Sequence, residues 1–362
     1  MDSILIETGS KTYPVFVGHG AVEKLRTFLA EKLPGLTSVL IITDETVGRL
    51  YLTEVQSMIT VQSVHTKIVP DGEKAKTFEV YYDCLSYALE KKLDRKSLIV
   101  SLGGGAVGDL AGFVAATFMR GIPFIQVPTT ILAHDSAVGG KVAVNHPLGK
   151  NMVGAFHQPE AVLYDLKYLQ SLPIQEKRSG FAEVIKHSLI SDFAFYKWLN
   201  ERAGSLDDLS PDVLRQSLTK GISIKGAIVS RDEKETGDRA FLNFGHTLGH
   251  AVEAECGYGK MTHGEAIAIG MVFALYLSRA VKNLDFDIGE FTDWLMKLGY
   301  VTSIPAHLSS ERLLDRMKQD KKSVGQSVRF VLLEKIGYPV VAEIPDALLI
   351  ESLTKFREMG GM

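Results

Sequence analysis

Short runs of aliphatic and β-branched residues, each followed by a helical pattern, recur through the first 170 residues. Clear examples are residues 38–43 (SVLIIT), 98–102 (LIVSL) and 124–127 (FIQV). Strands separated by helices pair in parallel, so this half predicts a doubly wound α/β sheet. The alternating residues 2–7 predict one further strand. Ligands of such sheets bind beyond the carboxyl ends of the strands.

The pattern changes after Pro173, where long amphipathic stretches replace the strands. Helices are predicted at residues 181–199, 211–229, 241–255, 265–281 and 288–298, with a short hairpin at 328–333 and 339–343. A chain of 362 residues is too long for one compact core. We therefore predict an α/β domain at residues 1–176 and a mostly α-helical domain at residues 177–362.

Composition excludes several classes of protein. The formal charge is −3 and no basic tract carries interleaved aromatic residues, so nucleic acid is not an expected partner. The two cysteines, Cys84 and Cys256, form no C-x-x-C pattern and imply no disulfide framework, which fits a reducing compartment. The N-terminus does not resemble a signal peptide, and no membrane-spanning run is evident. A cytoplasmic protein without membrane contact is expected.

Three of the ten histidines fall within eighteen residues. On a helix, His246 and His250 project from one face, because they are four residues apart. Together with His263 they predict a zinc site in the helical domain. Glu183 is a candidate anionic ligand, and an i, i+3 surface ion pair with Lys186, the common explanation for this spacing, is the alternative. Histidines buried and satisfied by hydrogen bonds remain the alternative.

Residues 103–109 (GGGAVGD) follow a predicted strand and open a predicted helix. They satisfy G-x-G-x-x-G, in which glycine lets a pyrophosphate approach the positive end of a helix. A tight strand-to-helix turn is the alternative. The next strand ends in Pro128 and Thr129 instead of an acidic residue, so Asp44 is the better candidate for a ribose contact. Dinucleotide binding is predicted, on a Rossmann-like sheet without the ordinary topology.

Residues 135–141 and 145–151 are polar or small and show neither helical nor strand periodicity. Irregular tracts in a compact domain are often functional. Lys141, Lys150 and Asn151 suit a phosphate or carboxylate, with a solvated basic loop as the alternative. Further cations near apolar segments favour a small polyanionic substrate; they are Lys225, Arg239, Lys321 and Lys322.

These motifs occur in the order typical of one family. In addition to residues 103–109, 135–141 and 145–151, they comprise residues 71–76 (DGEKAK), 128–130 (PTT), 182–186 (AEVIK), 242–253 (LNFGHTLGHAVE) and 263–265 (HGE). Over nearly its full length the chain resembles the 3-dehydroquinate synthase family of sugar-phosphate cyclases. The resemblance implies an NAD-binding α/β domain followed by a helical metal-binding domain. It also implies zinc or cobalt ligands at Glu183, His246 and His263, with His250 as an active-site neighbour and not a ligand.

The resemblance further assigns cofactor and substrate contacts. NAD contacts are implied at Asp44, Asp71, Gly72, Glu73, Lys76, Gly105, Ala106, Val107, Gly108, Asp109, Thr129, Thr130, Lys141, Lys150, Tyr168 and Ser171. Substrate or catalytic contacts are implied at Asp135, Lys141, Asn151, Lys186, Lys225, Arg239, Asn243, His250 and one of Lys321 or Lys322. Arg120 is expected to reach a neighbouring subunit, which implies a homodimer.

The implied reaction converts 3-deoxy-D-arabino-heptulosonate 7-phosphate into 3-dehydroquinate and phosphate. Transient oxidation by NAD is followed by phosphate elimination, re-reduction, ring opening and aldol closure. The nearest rival is another cyclase, such as 2-deoxy-scyllo-inosose synthase or a valiolone-type synthase, but Asn243 and Arg239 favour a carboxylate-bearing substrate. A polyol dehydrogenase is a more distant candidate, and a non-catalytic metal-binding protein is a third.

Overall fold

The computed structural model describes residues 1–257, 260–319 and 328–359. Contacts divide the chain into two compact units. The first contains Met1–Leu172 and Leu218–Lys234, and the second contains Pro173–Ser217 and Glu235–Met362. Residues 218–234, which we predicted in the helical domain, thus group with the first unit.

The first unit is built on a seven-stranded sheet. Its strands are β1 (Asp2–Glu7), β2 (Thr12–Gly18), β3 (Ser38–Asp44), β4 (Ser63–Val69), β5 (Leu98–Gly103), β6 (Phe124–Pro128) and β9 (Ala161–Asp165), in the order β1-β2-β9-β6-β5-β3-β4. Only the β1–β2 pair is antiparallel among these neighbours. The predicted parallel sheet, its three strands and the additional N-terminal strand are confirmed.

Helices cover both faces of this sheet. They are α1 (Lys24–Lys32), α2 (Glu45–Ser57), α3 (Phe78–Glu90), α4 (Gly105–Thr117) and the short α5 (Ala133–Ser136), followed by the hairpin strands β7 (Lys141–His146) and β8 (Gly149–Phe156). Every residue of β3 is buried. Leu40 and Ile42 join one hydrophobic cluster, whereas Val39 and Ile41 join another. Strands buried on both faces read as continuous apolar runs, which is why the sequence revealed them.

The second unit is mostly helical. It contains α6 (Ile174–Ser191), α7 (Phe193–Arg202), α9 (His246–Cys256), α10 (His263–Lys282), α11 (Ile288–Lys297), α12 (Ser310–Gln319) and α13 (Asp346–Met359), with the hairpin β10 (Val328–Lys335) and β11 (Tyr338–Ile344). The boundary between the units at residues 217 and 218 falls within α8 (Pro211–Arg231). The predicted hairpin is confirmed.

Three local predictions were wrong. Residues 141–156 form a hairpin, although β8 begins with the small and polar residues Gly149, Lys150 and Asn151 and contains no fully buried residue. The helix predicted at 181–199 breaks at Asp192, whose backbone is extended. The Asp192 side chain accepts a hydrogen bond from the amide of Ala194 and so caps the start of α7. The helix predicted at 241–255 begins only at His246, because Gly245 adopts a left-handed conformation (φ 79°).

Among the described residues, one helix is long and apolar enough to span a membrane by length and composition. This is α10, in which an 18-residue window has a mean hydropathy of 1.4. Of that window, 72% is buried within the protein. Such burial is typical of the core helix of a folded domain.

Candidate nucleotide cradle and metal centre

Three adjacent strands of the first unit end at, or one or two residues before, predicted cofactor residues. β3 ends at Asp44, β5 at Gly103, and β6 at Pro128 immediately before Thr129. The amide of Thr129 donates a hydrogen bond to the carbonyl of Gly103 at 3.0 Å, which joins two of these strand ends. Parallel pairing therefore brings Asp44, the glycine loop (residues 103–109) and the Thr129–Thr130 pair to the same edge of the sheet, as a dinucleotide site requires.

The glycine loop passes directly over two neighbouring side chains. A Cβ atom at Gly104 would lie 2.9 Å from Cγ2 of Thr130, and one at Gly105 would lie 2.8 Å from Oγ of Ser136. Side chains are thus excluded where α4 begins. The first amides of a helix have no intrahelical acceptor, so this bare N-terminus suits a phosphate group. The residues present fit a bound pyrophosphate.

Two carboxylates lie together at the ends of β3 and β4. Asp44 accepts a hydrogen bond from the amide of Val47 at 2.7 Å, and Asp71 accepts from the amide and hydroxyl of Thr46 at 3.0 and 2.8 Å. Burial and the neighbouring Asp71 raise the pKa of Asp44 to about 6, whereas the Thr46 hydrogen bonds lower the pKa of Asp71. Acceptor-only groups at a strand end suit the hydroxyls of a ribose.

Lys76 is a buried cation at the centre of a polar network. It is 3% exposed, and its ammonium group lies 2.7 Å from Oδ2 of Asp109 and 2.6 Å from Oδ1 of Asn151. Burial lowers the pKa of Lys76, but the charges of Asp109 and Glu73 outweigh burial and raise it. Lys76 therefore links the predicted cofactor residue Asp109 to the predicted substrate residue Asn151.

Other predicted residues of the first unit have varied surroundings. Lys225 pairs with Asp135 at 2.9 Å, whereas Lys141 is exposed and Lys150 is half-buried. Ser171 accepts a hydrogen bond from the hydroxyl of Tyr51 at 2.6 Å.

Tyr168 and Arg120 occupy contrasting positions in the first unit. Tyr168 is fully buried, and its ring centroid lies 4.4 Å from that of Tyr51. Its ring belongs to the sheet core, which limits the surface it offers a cofactor. Arg120 is exposed in a turn where Met119 and Arg120 both have positive φ angles of 51° and 69°.

In the second unit, three helices bring the predicted metal ligands together. Glu183 lies on α6, His246 begins α9 and His263 begins α10. Oε1 of Glu183 is 3.4 Å from Nε2 of His246 and 3.4 Å from Nε2 of His263. Tetrahedral ligands held about 2.1 Å from a zinc ion are separated by about 3.4 Å. The spacing of these donors fits a divalent metal ion.

Both histidines of the predicted ligand set are oriented through their second ring nitrogen. Nδ1 of His246 lies 3.1 Å from the carbonyl of Phe244, and Nδ1 of His263 lies 3.2 Å from Oε2 of Glu253. These contacts direct each Nε2 toward Glu183, as is usual for metal-binding histidines. Burial lowers the pKa of His263, but Glu183 and Glu253 outweigh it and raise the pKa to about 9. The pair of carboxylates therefore favours a positive charge at this centre.

Glu253 is a candidate functional residue that we did not predict from the sequence. It lies seven residues after His246 and therefore on the same face of α9. That spacing was the available signal, but the sequence does not show which nitrogen of which histidine the carboxylate faces.

His250 also lies at this cluster. Its ring centroid is 5.2 Å from that of His246 and 5.7 Å from that of His263, and one nitrogen from each ring falls within 4.8 Å of the others. The structure therefore brings together both the three-histidine set and the set containing Glu183. The set of Glu183, His246 and His263, with His250 as a neighbour, stays a prediction.

The remaining predicted residues of the second unit are mostly buried. Lys186 is 1% exposed and forms an ion pair with Glu183 one helical turn away. Arg239, also 1% exposed, lies in the 3₁₀ helix Asp238–Asn243, and the side-chain amide of Asn243 donates to Glu235 at 3.3 Å. Lys321 and Lys322 lie outside the described residues.

A close helix contact places α6 against α10. A Cβ atom at Gly264 would lie 2.0 Å from the carbonyl oxygen of Ser179, so the helices approach this closely only with glycine at that position. Ser179 lies one helical turn before Glu183, and Gly264 directly follows His263. This contact therefore sets the distance between two of the predicted ligands, Glu183 and His263.

A nucleotide-binding α/β unit and a helical unit with a carboxylate–histidine metal centre together define the class of sugar-phosphate cyclases and their dehydrogenase relatives. Sequence models narrow this class. The model of the 3-dehydroquinate synthase N-terminal region matches residues 66–179, and that of the C-terminal region matches residues 180–323. The chain belongs to the 3-dehydroquinate synthase family, which confirms the resemblance found in the sequence.

Individual proteins that are similar to this chain in sequence or structure are consistent with its membership of this family. A 3-dehydroquinate synthase of Geobacillus thermodenitrificans is 54% identical over 359 residues, covering 98% of both chains. A 2-deoxy-scyllo-inosose synthase, solved with carbaglucose-6-phosphate, NAD+ and Co2+, is 26% identical with a TM-score of 0.89 and 99% coverage of both chains. A 2-epi-5-epi-valiolone synthase of Streptomyces hygroscopicus, solved with NAD+ and Zn2+, is 23% identical with a TM-score of 0.85 and 99% coverage of both chains, and supports the fold.

Proposed function

We propose that this chain is a phosphate-eliminating cyclase that converts 3-deoxy-D-arabino-heptulosonate 7-phosphate into 3-dehydroquinate. The observation that carries the proposal is the Glu183-centred cluster, in which one carboxylate oxygen lies 3.4 Å from both His246 and His263. In a member of this family, such a cluster serves the second step of the shikimate pathway. The protein would then act in the cytoplasm, in the biosynthesis of aromatic amino acids.

The cofactors are proposed to be NAD and a zinc or cobalt ion. NAD supplies a reversible hydride acceptor, and the ion supplies a Lewis acid for hydroxyl and ketone oxygens. The bare N-terminus of α4 receives the pyrophosphate, and the Asp44–Asp71 pair accepts hydrogen bonds from a ribose. Glu183, His246 and His263 hold the ion, while His250 faces the substrate. The domains proposed for these tasks are residues 1–176 and 177–362, except that residues 218–234 group with the first of them.

The substrate is proposed to be held by cations and amides of the chain. The planar guanidinium of Arg239 suits a carboxylate, with which it forms two parallel hydrogen bonds. Lys141, Lys186, Lys225 and one of Lys321 or Lys322 carry positive charge for the phosphate, and Asp135, Asn151 and Asn243 orient hydroxyl groups. The hydrogen-bonded partners of Lys225 and Asn243 hold these two side chains in place. Arg120, exposed in a left-handed turn, is proposed to contact the partner subunit of a homodimer.

Other cyclases and net dehydrogenases give different products, so one assay separates them. The protein is supplied with the heptulosonate phosphate, NAD and Zn2+, and free phosphate and NADH are followed together. We expect phosphate to equal the substrate consumed, without lasting NADH. Accumulating NADH indicates a dehydrogenase. Consumption of glucose 6-phosphate in place of the heptulosonate indicates an inosose-type cyclase.

The metal centre is tested with a matched pair of histidine variants. His263→Ala removes a proposed ligand, and we expect it to lose both bound zinc and turnover. His307→Ala changes an exposed histidine of the same unit and should retain both. Zinc retention by His263→Ala, measured by elemental analysis after gel filtration, would contradict the proposed ligand set.

A further inference from the structure

Asn145 lies at an irregularity in the hairpin of the first unit. Val144 pairs with Val153 and His146 pairs with Gly149, so the register shifts between Val144 and His146. Residues at such irregularities are released from the ladder of backbone hydrogen bonds. Asn145 is therefore available to bond with other segments of the chain.

Asn145 uses this freedom to join two segments. Its amide donates to the carbonyl of Lys76 at 2.8 Å, and its side-chain amide donates to Oε2 of Glu73 at 2.6 Å. Its side-chain oxygen accepts from the backbone amide of Asn151 at 3.0 Å. One residue thus binds both the proposed cofactor segment at residues 71–76 and the proposed substrate residue Asn151.

A second connection closes a ring between these segments. The buried ammonium group of Lys76 donates to the side-chain oxygen of Asn151, whose backbone has a positive φ of 56°. Non-glycine residues adopt this conformation at an energetic cost unless neighbouring contacts hold them there. The hydrogen bonds from Lys76 and to Asn145 supply those contacts, so the position of Asn151 depends on the cofactor segment.

We propose that Asn145 is a positioning residue that couples the NAD segment, residues 71–76, to the hairpin that carries Asn151. The proposal rests on the proposed function, because it takes NAD as the ligand of residues 71–76. Asn145 itself need not contact NAD or substrate. Binding of NAD to residues 71–76 restrains Asn151 through Asn145, and binding at Asn151 restrains residues 71–76 to the same degree, because coupling between two binding sites is reciprocal.

The test compares Asn145→Ala with Leu148→Ala, a control in the same hairpin whose side chain is 92% exposed. NAD affinity is measured by calorimetry, and backbone hydrogen exchange is followed for residues 71–76 and 149–156. In the wild-type protein, NAD should slow exchange in both segments. Asn145→Ala should bind NAD about tenfold more weakly, as expected for the loss of two side-chain hydrogen bonds, and NAD should no longer slow exchange at residues 149–156. Leu148→Ala should behave as the wild type.

A complementary pair keeps the test decisive if Asn145→Ala does not fold. Asn145→Asp places a second carboxylate beside Glu73, and the repulsion between the two charges should separate residues 71–76 from the hairpin. Adding Glu73→Gln gives this pair a donor again, so the double variant can re-form a hydrogen bond between the two side chains. Recovery of exchange protection at residues 149–156 in the double variant supports the coupling. Protection at those residues that persists in every folded Asn145 variant overturns it. Neither readout depends on turnover. If the wild-type protein did not bind NAD, the proposed function would be contradicted and not the coupling through Asn145.

Discussion

At the scale of single residues, Glu253 contacts one ring nitrogen of His263, a proposed metal ligand. Its carboxylate lies 3.2 Å from Nδ1 of His263, so it holds the ring with Nε2 toward Glu183. Glu253→Ala should weaken zinc binding by about 10- to 100-fold, the range found when such supporting groups are removed, and Glu253→Gln should weaken it less. Competition against a chromogenic chelator measures the affinities.

Glu255 provides the control for this prediction. It lies on the same helix but pairs with Arg316 at 2.5 Å. Glu255→Ala should therefore leave zinc affinity unchanged. Equal losses in the Glu253 and Glu255 variants would mean that general destabilisation of α9, and not orientation of His263, explains the effect.

Asp44 gives a prediction about pH. Burial raises its pKa from 3.8 to about 6 in the folded chain, so the folded state binds the proton more tightly than the unfolded state. Stability is then lost as pH rises through this interval, and the full penalty is present above about pH 6. Asp44→Asn removes the charge and keeps the helix cap. It should stabilise the protein by roughly 1–2 kcal/mol at pH 7.5, a value reduced for solvent screening, and by less at pH 4.5.

Asp94 is a suitable comparison because the pKa of its carboxylate shifts in the opposite direction. Hydrogen bonds from Thr37 and Lys96 lower the pKa of Asp94. Asp94→Asn should destabilise the protein at pH 7.5 and have less effect as pH falls. Urea denaturation at both pH values measures both variants. A stabilisation by Asp44→Asn that does not change with pH would show that the Asp44 charge is not its cause.

At the scale of elements, the crossing of α6 and α10 determines the spacing of two proposed metal ligands, Glu183 and His263. A methyl group at Gly264 would lie 2.0 Å from the carbonyl of Ser179, whereas one at Gly204 in the same unit would meet nothing within 4 Å. Gly264→Ala should separate the helices, lower stability by about 1–3 kcal/mol or more, and weaken zinc binding. Gly204→Ala should change neither. Thermal denaturation and zinc titration of both variants check this, and unchanged zinc affinity in Gly264→Ala would contradict it.

Elements differ in how clearly the sequence specifies them. The buried parallel strands and the long helix α8 were predictable because their apolar residues are continuous or periodic. The hairpin of β7 and β8 was not, because its stability depends on contacts with α4: a Cβ at Gly112 would lie 2.3 Å from Val142. The start of α9 at His246 was also missed, since it depends on the left-handed Gly245.

The same distinction holds for the candidate sites. The family resemblance implied Glu183, His246 and His263 as metal ligands, yet spacing along the chain could not show that Glu183 lies equally far from both imidazoles. That fact depends on three helices and on the Gly264 contact. Asn145 was visible only as part of a polar tract, because its role depends on a register shift in the hairpin. Local chemistry is therefore readable from sequence, whereas distances between elements are not.

At the scale of the whole molecule, the two proposed cofactors bind residues of different compact units. The proposed NAD contacts lie in the unit containing Met1–Leu172, and the proposed zinc ligands lie in the unit containing Glu235–Met362 and Pro173–Ser217. A ligand that binds only the folded state stabilises it, by about 2.7 kcal/mol at one hundred times its dissociation constant. Each cofactor should therefore raise the melting temperature through its own set of residues.

Calorimetry of two variants tests this separation. His263→Ala should lose the increase in melting temperature caused by Zn2+ and keep the increase caused by NAD. Asp44→Ala should show the reverse, because it removes a proposed ribose acceptor and leaves the carboxylate and imidazoles of the metal centre in place. Loss of both increases in a variant whose circular dichroism spectrum matches the wild type would contradict the assignment of the cofactors to separate residue sets. The His307→Ala protein, with its exposed histidine removed, should retain both increases.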